Sequence, residues 1–123
     1  MAAPMLRIEF EPLFTPHGPV FDIACLRIEK SQLLAGPAKH VLATHENYQW
    51  LRNGHAYTVL RIPCRCRVRF DDEAQIYGPF DSVRIQDGYI WADSVLAQLE
   101  ESAGKWRMYS TGNRHSVVIV EPA

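Results

Sequence analysis

Long apolar runs are missing from this sequence of 123 residues, and none approaches the roughly 20 residues that a membrane-spanning helix needs. The opening stretch MAAPMLRIEFEP lacks the charged-then-apolar layout of a secretory signal. Cysteine is sparse: Cys25, Cys64 and Cys66 are an odd number, which excludes a disulfide scaffold and points to reduced thiols in a reducing compartment. A soluble, cytoplasmic protein with no membrane partner is expected. An excess of one charge is also lacking, since 13 basic residues face 14 acidic ones and the pI is near 6.5. No global field therefore draws the chain onto nucleic acid or an anionic membrane.

Motifs with defined chemistry are absent too. GPAKH and YGPFD supply neither the spacing nor the strand-to-helix context of a phosphate loop. No nucleophile elbow occurs. His45-Glu46 opens like a zinc-protease signature, but position 49 is Gln49 rather than the second histidine. Two thiols at Cys64 and Cys66 share a strand face, yet a structural zinc site usually needs four ligands, so neither a metal nor a cofactor is expected.

What is present is an ordinary globular composition, 47% hydrophobic and 22% charged, long enough to bury a core without staples. One domain spanning 1–123 is expected. MLRIEFEPLF alternates Leu6, Ile8 and Phe10 against Arg7, Glu9 and Glu11, the period of a half-buried strand. A second strand over Val20 to Lys30 is expected to pair back on it through TPHGP. Gly36-Pro37 marks a boundary. Between Ala38 and Asn53, Val41, Leu42, His45, Tyr48 and Leu51 or Arg52 recur at spacings of three and four, and Gly54 sits where a helix C-terminal glycine would. This spacing predicts a helix, beginning either near Ala38 or at Thr44 as an internal cap.

Strands follow. HAYTVLRIP ends at the interruption of Pro63. In CRCRVRF, Cys64, Cys66, Val68 and Phe70 face one way and Arg65, Arg67 and Arg69 the other. Asp71-Asp72-Glu73 reads as a polar turn, AQIYGPF as a short strand broken at Gly78-Pro79, and SVRIQ-DG-YIWA as a hairpin with a type I′ turn. DSVLAQLEESAGK fits a helix capped by Asp93 or a continuing meander; Glu100 and Glu101 at a helix C-terminus favour the meander. WRMYS and HSVVIVE flank STGNR as a closing hairpin, and the apolar run Val117 to Val120 suggests a central strand. The expected fold class is α+β: a curled, barrel-like antiparallel sheet of about six to eight strands with one or two short helices.

Charge is unevenly placed along the chain. From Asn47 to Phe70 there are Arg52, Arg61, Arg65, Arg67 and Arg69 and no acid; from Asp71 to Glu101 eight acids face Arg84 alone. The two segments are expected to meet as neighbouring strands with ion pairs between them.

Three functions follow as expectations. The first is a non-enzymatic binding module that contacts a protein partner or itself, as a homo-oligomer such as a dimer, through a sheet edge or an aromatic face. The second is binding of an anion, or less readily of nucleic acid, by Arg65, Arg67 and Arg69 with Arg61, since guanidinium forks suit phosphates and carboxylates. Tyr57, Trp91, Trp106 or Tyr109 would add stacking surface. The third is a small-molecule pocket or enzyme in the mouth of the curled sheet, with His45, His55, Asp81 or Tyr89 at its rim. Asp22, Asp81 and Asp93 have no spacing that selects a catalytic pair, so whether the protein catalyses anything is left open.

Overall fold

Four two-residue turns organise the chain, and each has both central residues at positive φ: Lys30-Ser31, Asn47-Tyr48, Asn53-Gly54 and Asp87-Gly88. That backbone twists with the flanking strands, so each turn closes a tight antiparallel hairpin. The structure, a computed structural model, describes residues 4–12, 18–100 and 104–123. It contains fifteen strands: β1 (Leu6–Pro12), β2 (Val20–Ile23), β3 (Leu26–Glu29), β4 (Gln32–Ala35), β5 (His40–Glu46), β6 (Gln49–Arg52), β7 (His55–Ile62), β8 (Cys66–Phe70), β9 (Ile76–Phe80), β10 (Val83–Gln86), β11 (Tyr89–Ala92), β12 (Ser94–Glu100), β13 (Lys105–Met108), β14 (Arg114–His115) and β15 (Val117–Pro122).

β7 is the spine. Tyr57 pairs with Trp50 of β6 on one side and with Pro12 of β1 on the other, while Val59 to Arg61 pair with β1 and β10. A strand has only two edges, so β6 and β10 must follow one another along the edge opposite β1. Two antiparallel meanders leave that edge. One runs β6-β5-β4-β3-β15-β8-β9, the other β10-β11-β12-β13-β14. They curl into a half-barrel, and the turn tips touch where the Tyr48 ring crowds Gly88: a Cβ there would lie 2.7 Å from Cε1.

The inner face holds one apolar cluster that includes Leu6, Ile8, Phe10, Trp50, Leu60, Ile62, Val68, Phe70, Trp106 and Val120. β1 and β8 supply it as their alternation requires, with Arg7, Glu9, Arg67 and Arg69 on the outer side. β15 lies between β3 and β8 as a central strand, and its run Val117 to Val120 is buried on both faces.

The α+β expectation is overturned: the described residues are all strand and turn, with no helix and more than the six to eight strands foreseen. In place of a helix over Ala38 to Asn53 stand β5 and β6. Val41 pairs with Leu34 and Ala43 with Leu33, so Leu42 is an extra residue in the ladder. This bulge buries Leu42 and Ala43 side by side, which breaks the strand period and imitates a helical one. Gly54 is not a helix cap but the second residue of the Asn53-Gly54 turn, and Thr44 lies mid-strand opposite Gln32 and Leu51. The segment read as one strand from Val20 to Lys30 is two, β2 on β1 and β3 on β15 and β4. Of the two readings for DSVLAQLEESAGK the meander holds over Ser94–Glu100, and 101–103 lie outside the described residues, as do 13–17 of the TPHGP connection. No helix among the described residues is long and apolar enough to cross a membrane.

Candidate functional site

A row of paired residues crosses the outer face of the spine. Arg61 of β7 lies directly opposite Glu9 of β1 on one side and Arg84 of β10 on the other, and Arg84 lies opposite Trp91 of β11. Like charges placed directly opposite each other on neighbouring strands repel by a few tenths to about 1 kcal/mol. Arg61 is partly neutralised, because its Nε–H donates to Glu11 Oε2 at 2.7 Å. Arg84 makes no ion pair among the described residues; its guanidinium lies over the Trp91 ring, 5.6 Å from the centroid.

These side chains line a groove of about 340 Å³ together with Ile62, Pro63, Ser82, Val83 and Asp93. Ile62 and Val83, cross-strand partners whose side chains are buried in the core on the other face of the sheet, border it. Its walls carry two guanidiniums, the indole, the Ser82 hydroxyl and the Asp93 carboxylate. Two backbone irregularities shape it. A register shift opposite Ile90 and Trp91 inserts an extra residue in β12, and Asp93 turns the chain at φ 60 between β11 and β12. Asp93 is also close enough to Cys66 for its charge to help raise that thiol. Burial is the larger cause and the neighbouring Cys64 the second, and together they push Cys66 from 9.0 up to about 12.

The arginine strand behaves differently. Arg69 Nε–H donates to Glu121 Oε1 at 2.7 Å, and Arg67 Nε lies 3.4 Å from the same oxygen. Both partners thus come from β8 and β15. The acidic segment that follows in sequence does not supply the carboxylates for Arg61, Arg67 or Arg69; Glu11 and Glu121 do. Ile119, directly between Arg69 and Arg27 across adjacent strands, is buried on this outer face, as expected where arginine stems lie along apolar surface. Arg65 sits in the connection before β8, where its carbonyl accepts from the Ala123 N–H, and it shares with Arg67 a separate hollow lined by Ile76, Gly78, Pro79 and Ala123.

The four expected rim residues do not form one rim. His45 packs its ring 4.8 Å from Trp50, beside a hollow lined by Ser31, Glu46, Asn47, Leu99 and Gly104. His55 is exposed at the start of β7. Asp81 directly precedes Ser82 of the groove, and Tyr89 lies 5.7 Å from Trp91, so these two border the site while both histidines lie elsewhere. Of the expected arginines only Arg61 lines the groove. Its cross-strand partner Arg84 is not legible as a site residue in the sequence, because the 22 positions between them give no signal of their adjacency.

Another constellation is equally silent in the sequence. His115 is buried, stacked on Phe70 with centroids 3.8 Å apart, and its Nδ1 lies 2.7 Å from Asp72 Oδ1. Its Nε2 is 3.6 Å from Glu73 Oε2, and Glu73 also accepts from the Tyr77 hydroxyl. That hydrogen bond is the main reason the Tyr77 phenol rises from 10.0 to about 12. With Nε2 sealed from solvent, His115 has no access to a substrate. It fastens the β8–β9 turn to the point where the chain crosses from β14 into β15. Among the described residues no group of His, Cys, Asp and Glu is placed to hold a metal ion.

Among the described residues the exposed large apolar side chains are Met5, Val20, Val41, Tyr48, Ile76 and Tyr109, and no two of these share a strand. No family model, curated protein or solved structure matches this chain.

Proposed function

We propose that this domain is a small-ligand-binding module that captures a compact anion in the groove between β7, β10 and β11, with Arg61 and Arg84 as its cationic clamp. The observation that carries this reading is the direct cross-strand opposition of Arg61 and Arg84 at the mouth of a hollow. A like-charge pair of which Glu11 compensates only the Arg61 member costs the empty fold stability, and an anion bridging both guanidiniums turns that cost into affinity. A volume of about 340 Å³ stands at the lower end for ligand sites, which suits one small molecule rather than a polymer. Binding is the activity proposed. The half-buried and buried thiols Cys25, Cys64 and Cys66 support a reducing compartment, and the cytoplasm is proposed.

The test is a thermal-shift panel of phosphate, pyrophosphate, sulfate and citrate on the wild type and on Arg61→Ala/Arg84→Ala. Saturation at a hundredfold excess over the dissociation constant adds about 2.7 kcal/mol of stability. The expected result is a shift in the wild type that the double variant loses. A flat wild-type panel, or a shift that survives in the double variant, overturns the reading; a flat panel with a dimer in light scattering transfers the function to contact with a second copy.

A further inference from the structure

The groove holds more than an anion needs, and that excess selects the ligand. A carboxylate placed beside two guanidiniums weakens the capture of a simple anion such as sulfate. Asp93 lines the same hollow as Arg61 and Arg84, so a ligand that fits must present hydrogen-bond donors as well as negative charge. Trp91 adds a third demand. Its indole is only half-buried, and the Arg84 guanidinium, 5.6 Å from its centroid, and the tilted Tyr89 ring, 5.7 Å away, brace it. A braced, partly open indole on a polar outer face is a platform for a flat ring.

From these three demands we infer that the groove takes a nucleoside monophosphate. The phosphate bridges Arg61 and Arg84, with Arg61 keeping its Nε–H on Glu11 and offering its other N–H groups, and the Ser82 hydroxyl donates to it. The base stacks against the Trp91 platform. Asp93 accepts from the sugar hydroxyls or from N–H groups of the base. The inference rests on the anion-binding reading above and adds the ring and the donor. A single-stranded nucleic acid shares this chemistry, but the geometry favours the mononucleotide: the hollow has the volume of one small ligand, and the other outer-face arginines of β8 are engaged by Glu121.

Titration calorimetry with AMP, GMP, CMP and UMP, with inorganic phosphate, with adenosine and with a short oligoadenylate tests this, alongside quenching of tryptophan fluorescence. Trp50 and Trp106 are fully buried, so Trp91 is the indole that responds. At least one monophosphate is expected to bind about tenfold or more tighter than phosphate or adenosine, the increment that stacking a base contributes. Trp91→Leu should bring it down to the level of phosphate, Trp91→Phe should retain most of the increment, and Asp93→Asn should weaken the nucleotide without weakening phosphate. If every monophosphate binds no tighter than phosphate, and Arg84→Ala abolishes phosphate binding, the nucleotide inference falls while the anion site stands. If neither phosphate nor nucleotide binds, both fall. If the oligoadenylate binds more tightly than AMP, with a salt dependence steeper than two phosphates would give, the ligand is a nucleic acid strand and the mononucleotide inference is overturned.

Discussion

Arg67 and Arg69 on β8 converge on one carboxylate, Glu121, whose side chain is only 20% exposed, whereas Arg61 and Arg84 on β7 and β10 face each other across a groove that Asp93 also lines, with Glu11 ion-paired to Arg61 alone. The two pairs share a residue type, a sheet and an outer face. Their difference is in what neutralises them: both members of the first pair reach one carboxylate of the fold, and in the second only Arg61 does. An arginine stripe visible in sequence is therefore the weaker indicator of a site, and a like-charge pair made by strand register is the stronger one. The contrast is tested by asking which pair the fold depends on and which one a ligand does.

The largest effect belongs to the inner face of β8. Cys66 points into the core beneath Arg67 and Arg69, and its thiol is pushed from 9.0 up to about 12, chiefly by burial. Below pH 9 both folded and unfolded chains keep the thiol proton. Between 9 and 12 the unfolded chain loses it and the folded chain does not, so stability falls with rising pH by about 1.4 kcal/mol per unit through this window. Urea unfolding from pH 7 to 11 should show this slope in the wild type, and Cys66→Ala, weaker at pH 7, should be flatter by that amount. Parallel curves would mean that β8 is not a closed structural strand.

On the outer face of the same strand, Glu121→Ala leaves two arginines without their shared acceptor and should cost about 1.5 kcal/mol in urea unfolding, the range for a partly buried, charge-assisted hydrogen bond. Ligand affinity should not change. A smaller gain is expected from Ser31→Gly. Ser31 closes the β3–β4 turn at φ 60, where a side chain is strained, and the groove-side turn already has Gly88 at the matching position. Relief of that strain, less the freedom glycine adds to the unfolded chain, should stabilise by about 0.5–1 kcal/mol.

These turns also explain what is legible in the sequence. Asp87-Gly88 announces its hairpin because glycine is the usual residue at positive φ, and the alternation in β1 and β8 is clean enough to fix inside and outside. Asn53-Gly54 carries the same signal, but it is masked by the bulge at Leu42, which gives the residues before it a helical spacing. Lys30-Ser31 and Asn47-Tyr48 carry no glycine, so nothing local marks them as turns. The strands they join merge with their neighbours in the sequence pattern, which shows near half of the fifteen observed. The groove is hidden for another reason. Arg84 and Trp91 face each other across the local Asp87-Gly88 hairpin, but Arg61 joins them only through the register of β7 with β10, which long-range pairing sets and no short window contains.

The sharpest form of the contrast is also the smallest in stability. Arg84→Ala removes a repulsion from Arg61 worth a few tenths to about 1 kcal/mol and also a guanidinium stacked over Trp91 worth about 0.5–1 kcal/mol at an exposed site, so the two terms nearly cancel. Urea midpoints of the variant and the wild type should agree to within about 0.5 kcal/mol, with an unchanged slope. Its anion affinity, in contrast, should fall at least about tenfold, because one of the two charged donors that bridge the ligand is gone. Glu121→Ala gives the opposite pattern, stability lost and affinity kept. If Arg84→Ala destabilises the protein as much as Glu121→Ala does, Arg84 is a structural residue like Arg69, and the distinction between the two arginine pairs disappears. If the two variants separate along the two axes, the Arg67–Arg69 pair closes the sheet and the Arg61–Arg84 pair holds the ligand.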